Sequence, residues 1–523
     1  MRRMPTPIRW SVPSPLSPAE TRIVKKLHRI NTFYVFLREI RAELFDEAFQ
    51  AELAAVYHPR GTAPLPAALL AMVTLLQAYD QVSDAEAVIA AQLDQRWQLV
   101  LGCLGATEAP FSQGVLVKFR ERLIAHDLDQ RLLDRTVALA KQTGRFGWQA
   151  LRAALDSSPL VGAGRVEDTW NLIGHALRTV ATCAAKTLQI PRDHVLREAG
   201  VTLLGASSLK AALDIDWSDP TAQTAALTRL LAEVDQLERW VHAHVPTDAS
   251  PAVATALTML RRVLTQDLEP DPASGQPRIR QGVARDRMPS LGDLEMRHGR
   301  KTRTKPFTGY KRHVIKLIDA DVIVGAVVRP ANEPEHEALA LLTPDVERHG
   351  PLSEVFLDRG YLGSPRIGEL HATGVKIRAK AWTSHNGGRF PKHAFTLDLV
   401  AGHVTCPASQ TIPLPPGATA VHFPSALCHP CALRTACTTA AHGRSIAIHP
   451  QEALLQTLRA DQQRADGRAR LRTRTTIEHS LARVGQLQGA KARYTGTRKN
   501  TLDLRRTSAV ANLQRIARLG AAA

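Results

Sequence analysis

The sequence predicts an α/β chain: a mixed-sheet core, preceded by helices and broken by two long insertions. Three observations carry this. Apolar residues recur at helical spacing over residues 19–145 and again over 165 to about 268. Short strand-like runs lie at 148–161, 310–318, 322–328, 354–357 and 375–379. Acidic residues close two of these runs, Asp156 after Ala153-Ala-Leu155 and Asp358 after Val355-Phe-Leu357.

In chain order, residues 1–18 form a proline-rich, flexible tail, with no apolar stretch of the kind a signal peptide needs. Residues 19–145 form a helical N-terminal domain. Ile23, Leu27 and Ile30 recur on one face, and Ser83 with Glu86 fits a capping box. Leu116, Phe119 and Leu123 oppose Lys118, Arg120 and Arg122, which suits either a bundle that merely packs or a module that grips a polyanion such as DNA. Gly144 and Gly147 break the pattern before the first core strand, assigned to 146–164. A helical insertion follows at 165–277, rich in Ala and Leu as in Leu227 to Leu237.

The core resumes at 278–380. Two apolar runs joined by Asp319-Ala-Asp321 predict an antiparallel hairpin, then come a helix near 334–348, a strand and a fifth strand. Residues 381–450 are a loop-rich, cysteine-bearing insertion, and 451–523 return to helices. Without the insertions the order is strand, strand, strand, helix, strand, helix or loop, strand, helix, which is the order of a ribonuclease-H-like α/β core. A division into separate α and β domains would leave Asp156 far from Asp358 for no reason.

At 523 residues the chain exceeds one ordinary core, so about two to four domains are expected. Its 67 Lys and Arg against 49 Asp and Glu give +18, unevenly spread. Residues 459–518 net +11 and 278–316 net +9, which leaves about −2 for everything else. Such confinement suggests surfaces shaped for a polyanion, against the plainer reading of a solvated basic face. The longest apolar run, Pro66 to Tyr79, is too short to span a bilayer, so a cytoplasmic protein without membrane contact is expected.

The six cysteines are too few for a disulfide scaffold. Four of them, Cys406, Cys428, Cys431 and Cys437, cluster with one Cys-x2-Cys pair, and thiolates so spaced can close a tetrahedral structural Zn²⁺ site. His403, His422, His429 and His442 could replace one thiolate; reduced, buried cysteines are the alternative. Cys103 and Cys183 read as small core residues.

Three acids stand out as a set. Asp156 and Asp358 end strand-like runs, where side chains of an open α/β sheet project into a ligand crevice, although each also suits a turn. Glu478 lies in Thr473-Arg-Thr-Thr-Ile-Glu-His-Ser-Leu481, one helical turn after Arg474, a spacing that also suits an exposed ion pair. Carboxylates gathered from distant segments are what a site for two Mg²⁺ (or Mn²⁺) ions needs, because hard cations take oxygen ligands.

At Leu155-Asp-Ser-Ser-Pro-Leu-Val-Gly162, Phe307-Thr-Gly-Tyr-Lys-Arg-His313, Leu357-Asp-Arg-Gly-Tyr361, Ile477-Glu-His-Ser-Leu-Ala482, Arg493-Tyr-Thr-Gly-Thr-Arg-Lys499 and Asn512-Leu-Gln-Arg515, the chain resembles bacterial insertion-sequence transposases of the DDE type. Phe111-Ser-Gln-Gly to Phe119-Arg-Glu-Arg-Leu123 looks like the end of that family's N-terminal module, and the likeness runs over roughly residues 20–518. The resemblance implies that Asp156, Asp358 and Glu478 hold two metal ions, that Arg474 contacts phosphate or orients Glu478, and that the enzyme cuts and joins DNA. It implies terminal inverted repeats and target DNA as partners, and a homodimer or larger assembly on nucleoid DNA. Related groups carry a tyrosine one turn before the arginine and a lysine two turns after the glutamate, whereas this chain has Leu471 and Gly485 there. Arg483 and Lys491 are the candidates to fill in. A catalytically silent DNA-binding regulator, or a nuclease without strand transfer, are the competing functions.

Overall fold

The computed structural model describes residues 9–11, 15–57, 65–143, 148–206, 208–246 and 250–521, with side chains described as far as residue 519. Most of the proline-rich tail, and both Gly144 and Gly147, lie outside these residues.

Among the described residues, helices α1 to α8 run from Pro18 to Gln142. Ser17 caps α1 (Pro18–Ile30) through a reciprocal capping box with Glu20, and Ser83 caps α5 (Asp84–Leu93) through the expected box with Glu86. The long apolar run becomes α4 (Ala67–Asp80), which is buried on all sides over Ala67 to Ala78, as a helix apolar all round must be. Among the described residues no helix is long and apolar enough to cross a membrane. On α7 (Gln113–Ala125), Leu116, Phe119 and Leu123 are buried as expected. Its basic face is less free than the sequence suggests. Arg120 is buried against Asp84 at 2.5 Å, and Arg122 lies over the Tyr57 ring, which leaves Lys118 of the three exposed.

The central sheet has six strands. β1 (Leu151–Val161) pairs antiparallel with β5 (Lys305–Leu317), and β5 pairs antiparallel with β6 (Val322–Pro330). On its other side β1 pairs parallel with β7 (Leu352–Phe356), which pairs parallel with β8 (Lys376–Arg378). β4 (Arg297–Thr302) adds to the start of β5. The Asp319-Ala-Asp321 joint is the expected hairpin turn, with Asp321 in the left-handed region. Helix α14 (Glu337–Glu347) links β6 to β7, and α15 (Arg366–Ala372) links β7 to β8.

The insertion after β1 carries α9 to α13, from Thr169 to Asp267, around its own apolar core that includes Trp170, Leu177, Leu230 and Leu260. A small hairpin of β2 (Leu268–Pro270) and β3 (Pro277–Ile279) closes it. The later insertion has five short strands: β9 (Thr396–Asp398), β10 (His403–Thr405) and β11 (Thr411–Pro413) in one sheet, β12 (Ala420–Pro424) and β13 (Gly443–Ala447) in another. Two single-turn helices, α16 (Ser425–Cys428) and α17 (Arg434–Cys437), carry cysteines, and the core is small: Phe395, Val404, Val421, Phe423 and Ile446.

Four helices end the chain: α18 (Glu452–Gln463), α19 (Ala465–Arg472), α20 (Thr475–Gln488) and α21 (Thr497–Ala521). α21 runs along the open edge of β6 and satisfies its backbone. Asn512 accepts from the Ile323 N–H and donates to its carbonyl, both at 2.7 Å, while Thr501 accepts from Val328 N–H at 3.0 Å. A bare strand edge invites pairing with another chain, and this helix covers it. One apolar core joins the N-terminal helices, one sheet face and α21.

Candidate functional site

The register of β1 against β7 brings the two aspartates near enough for the Asp358 charge to act on Asp156. Their parallel pairing ends at Ala154 and Phe356, and Asp156 and Asp358 each stand two residues farther along. The expectation that Asp156 ends its strand is corrected here. β1 continues to Val161 because β5 still pairs with it there; what stops at Ala154 is the parallel partner, and the two strands open into a crevice at that point.

Side-chain alternation decides which way Asp156 faces. Ala154, two residues earlier, packs with Phe356 and with Ile477, Leu481 and Val484 of α20, so Asp156 faces α20 as well. The chain after α20 returns to β1 and fixes that helix, through Val161 N–H to Ala490 O at 3.0 Å and Ala492 N–H to Val161 O at 2.7 Å. Arg474, at the start of α20, donates to Asp156 Oδ2 at 2.9 Å and to Glu478 Oε1 at 3.4 Å. Asp156, Arg474 and Glu478 are therefore joined in one chain of contacts. Asp156 is mostly buried, whereas the Glu478 side chain is 55% exposed.

Each aspartate takes a backbone N–H from the next residue at 2.8 Å, Ser157 for Asp156 and Arg359 for Asp358. Burial pushes the Asp156 carboxyl above its ordinary range; the Ser157 N–H and Arg474 oppose this, and the neighbouring charges of Asp358 and Glu335 add to it.

Glu335 escaped the sequence reading. It precedes α14 and accepts from Ser157 Oγ at 2.8 Å. The sequence also suggests that Gly360 eases a sharp turn after Asp358. The structure gives a different reason, since Gly360 has no positive φ and a Cβ there would sit 2.4 Å from Glu335 Oε2. Glu335 thus lies against the segments that carry both aspartates. Beneath them, fully buried Tyr361 shares a 2.8 Å hydrogen bond with Nδ1 of His313, which pairs across from Ser157 in the sheet. Burial, with Lys311 and Arg329 adding to it, brings His313 down to about 3 and so keeps it neutral.

A groove beside Glu478 is lined by Lys380, Arg468, Leu471, Arg472 and Arg474. Leu471 thus opens onto it. Gly485 lies against the Arg312 guanidinium, about 3.6 Å from where a Cβ would be, and Arg312 is itself held by Ser158 Oγ at 2.8 Å and Gln488 Oε1 at 3.0 Å. Of the two proposed substitutes, Arg483 is engaged by Gln514, while Lys491 is exposed and tethered at the end of β1.

The four clustered cysteines line one cavity together with Phe395 and Phe423. Burial raises the Cys437 thiol, opposed by Arg444 and reinforced by Cys428, Cys406 and Cys431. Among the described residues, however, no three His, Cys, Asp or Glu side chains are arranged as a metal-holding group, at the cysteines or at the carboxylates. At the carboxylates the Arg474 guanidinium lies between Asp156 and Glu478, and Glu478 is partly exposed. The donors themselves suit a hard divalent cation, being carboxylates with a buried, charge-crowded member. Cys103 and Cys183 pack at the edges of the two larger cores.

The chain is therefore mixed α/β with a helical N-terminal region, and Asp156 in its sheet is joined through Arg474 to Glu478 of a late helix. A family model described as transposase DDE domain matches residues 405–517, and one described as transposase domain (DUF772) matches residues 23–122. Together these matches indicate an insertion-sequence transposase of the DDE type. The matched segments include Arg474, Glu478 and the four cysteines but neither Asp156 nor Asp358. No curated protein and no solved structure matches the chain.

Proposed function

We propose that this transposase binds the terminal inverted repeats of its element and catalyses divalent-metal-dependent strand cleavage and strand transfer through Asp156, Asp358 and Glu478. The observation that carries this is the matched register of the two aspartates, with Arg474 reaching from Asp156 to Glu478. The strand order β6-β5-β1-β7-β8, with α14 between β6 and β7, supports a ribonuclease-H-like core. On this reading 19–145 is a DNA-binding domain, 146–164 and 278–380 are the core, 165–277 and 381–450 are its insertions, and 451–523 supplies the last catalytic helix.

Held by the three carboxylates, two divalent ions would supply Lewis acidity, easing deprotonation of the attacking water or 3′ hydroxyl and stabilising the leaving 3′ oxygen. The chain's own residues prepare for this. Ser157 and Arg359 backbone N–H groups orient the two aspartates, and Glu335 packs behind both turns. Arg474 holds Asp156 and Glu478, and with divalent cations on the carboxylates its guanidinium would be free to take a phosphate oxygen. Lys380, Arg468 and Arg472 line the adjoining groove and suit a bound strand. Pairing two ends implies a dimer or larger assembly on DNA. In the cysteine segment we propose a structural Zn²⁺ held by Cys406, Cys428, Cys431 and Cys437, which share one cavity.

A second reading, a DNA-binding regulator without catalysis, is favoured by the bridging position of Arg474. Nicking and strand transfer on terminal-repeat DNA with Mg²⁺ separate the readings. The expected outcome is activity in the wild type and its loss, by at least about a hundredfold, in Asp156→Ala, Asp358→Ala and Glu478→Ala. Equal DNA binding by all four proteins with no cutting by any makes the regulator correct, and nicking without joining makes the protein a nuclease.

A further inference from the structure

The β4–β5 hairpin projects beyond the rest of the sheet. β1 reaches along β5 only to the pair Val161 and Gly309, and β6 only to Pro330 opposite Tyr310. Residues 300–306 lie past both neighbours, and there β4 and β5 pair only with one another. The base is anchored: Arg297 Nε donates to Asp286 at 2.7 Å, His298 and Thr308 share a 2.9 Å hydrogen bond, and a Cβ on Gly299 would meet Ala331 O at 2.6 Å.

The tip is different. Arg300, Lys301, Thr302, Arg303, Thr304, Lys305 and Pro306 are all exposed and include no acid. Among the described residues none of the four cations forms an ion pair; their one side-chain hydrogen bond is from Arg300 Nη1 to the Arg303 carbonyl at 2.9 Å. Most arginines elsewhere are matched by carboxylates, as Arg287 is by Asp267 at 2.7 Å. Four like charges on one narrow ribbon repel each other, and a polyanion relieves that repulsion.

We propose that this ribbon is a DNA-contacting arm that enters a groove of the duplex and neutralises its flanking phosphates. A two-stranded β-ribbon fits the major groove of B-DNA, and each phosphate neutralised releases condensed counterions. The arm also has a reach. Val314 pairs with Asp156, and Lys305 is nine residues along the same strand. At about 3.3 Å per residue the tip stands about 30 Å from the carboxylates, or roughly nine base pairs along a duplex at about 3.4 Å each. This inference rests on the transposase reading and adds a contact away from the reacting phosphate.

The test compares the full chain with a variant carrying Arg300→Ala, Lys301→Ala, Arg303→Ala and Lys305→Ala, on a random-sequence duplex across a salt series. All four side chains are exposed, so the thermal transition should not move. The expected result is weaker binding and a plot of log affinity against log salt that is shallower by up to about 3.6, at roughly 0.9 per lost phosphate contact. A variant with Arg300→Lys and Arg303→Lys should keep the wild-type slope. If the wild type binds duplex and the alanine variant matches it in affinity and slope, the arm is overturned and the catalytic reading stands. If the wild type binds no duplex at all, the proposed DNA contact fails and the arm falls with it. A photocrosslinker at residue 303 should map about nine base pairs from the nick; crosslinks at the nick itself contradict the stated reach.

Discussion

Asp156 sits where a charge is poorly tolerated: burial and two neighbouring carboxylates oppose its ionisation more than Arg474 and one N–H favour it. Its folded pKa is raised, so the stability it contributes is complete below the ordinary aspartate range and is lost as pH rises through the folded value. Asp156→Asn removes that liability. The variant should therefore melt higher than wild type at neutral pH, with the gap closing as pH falls into the ordinary aspartate range, while nicking is abolished. Melting curves over a pH series check this, and Mg²⁺ should raise the wild type more than the variant. At this scale the proposed set of Asp156, Asp358, Arg474 and Glu478 stands out in the sequence because each sits in a short motif with a local signature. Glu335 does not, since it falls at the start of the helix expected near 334–348 and its partner Ser157 is 178 residues away. The one available signal was its place between a strand and the following helix, the same kind of position that marked the aspartates.

Elements show where counting charge misleads. The +11 of residues 459–518 suggests a basic outer surface, but part of it is paired with acids from other segments. On α21, Arg498 and Arg505 close on Asp129 at 2.7 and 3.1 Å. These arginines fix α21 across β6 and α8 (Leu128–Gln142), whereas Arg468 and Arg472 face the groove by Glu478. Sequence gives the sum, but pairing depends on acids more than three hundred residues away. The order of the core strands along the chain and the β5–β6 hairpin, by contrast, are readable because turn chemistry and alternation are local, whereas the β4–β5 hairpin reads as loop, its residues being largely basic and polar. The cysteine segment has an apolar core of five buried residues, so the proposed zinc would add to the order of some seventy residues. Protein purified without chelator should carry one zinc per chain, and Cys428→Ala should lose it and become protease-sensitive within 381–450. Elemental analysis finding no zinc in the wild type would remove the staple.

The whole molecule is built so that distant segments converge. A helical insertion of about a hundred residues separates β1 from its hairpin partners, and a second insertion separates β8 from α20, yet the sheet and the returning chain at Ala490–Ala492 restore the neighbours. The ion-pair chain through Arg474 keeps Asp156 and Glu478 within reach of one guanidinium, with Asp358 level on the adjoining strand. The most direct measurement is calorimetric titration of the wild type and of Asp156→Asn, Asp358→Asn and Glu478→Gln with Mn²⁺ in the presence of duplex DNA. Two ions per chain in the wild type, with at least one lost or weakened about tenfold or more in every variant, is the predicted result. Unchanged stoichiometry and affinity in any of the three variants would contradict the claim that these carboxylates form one metal site.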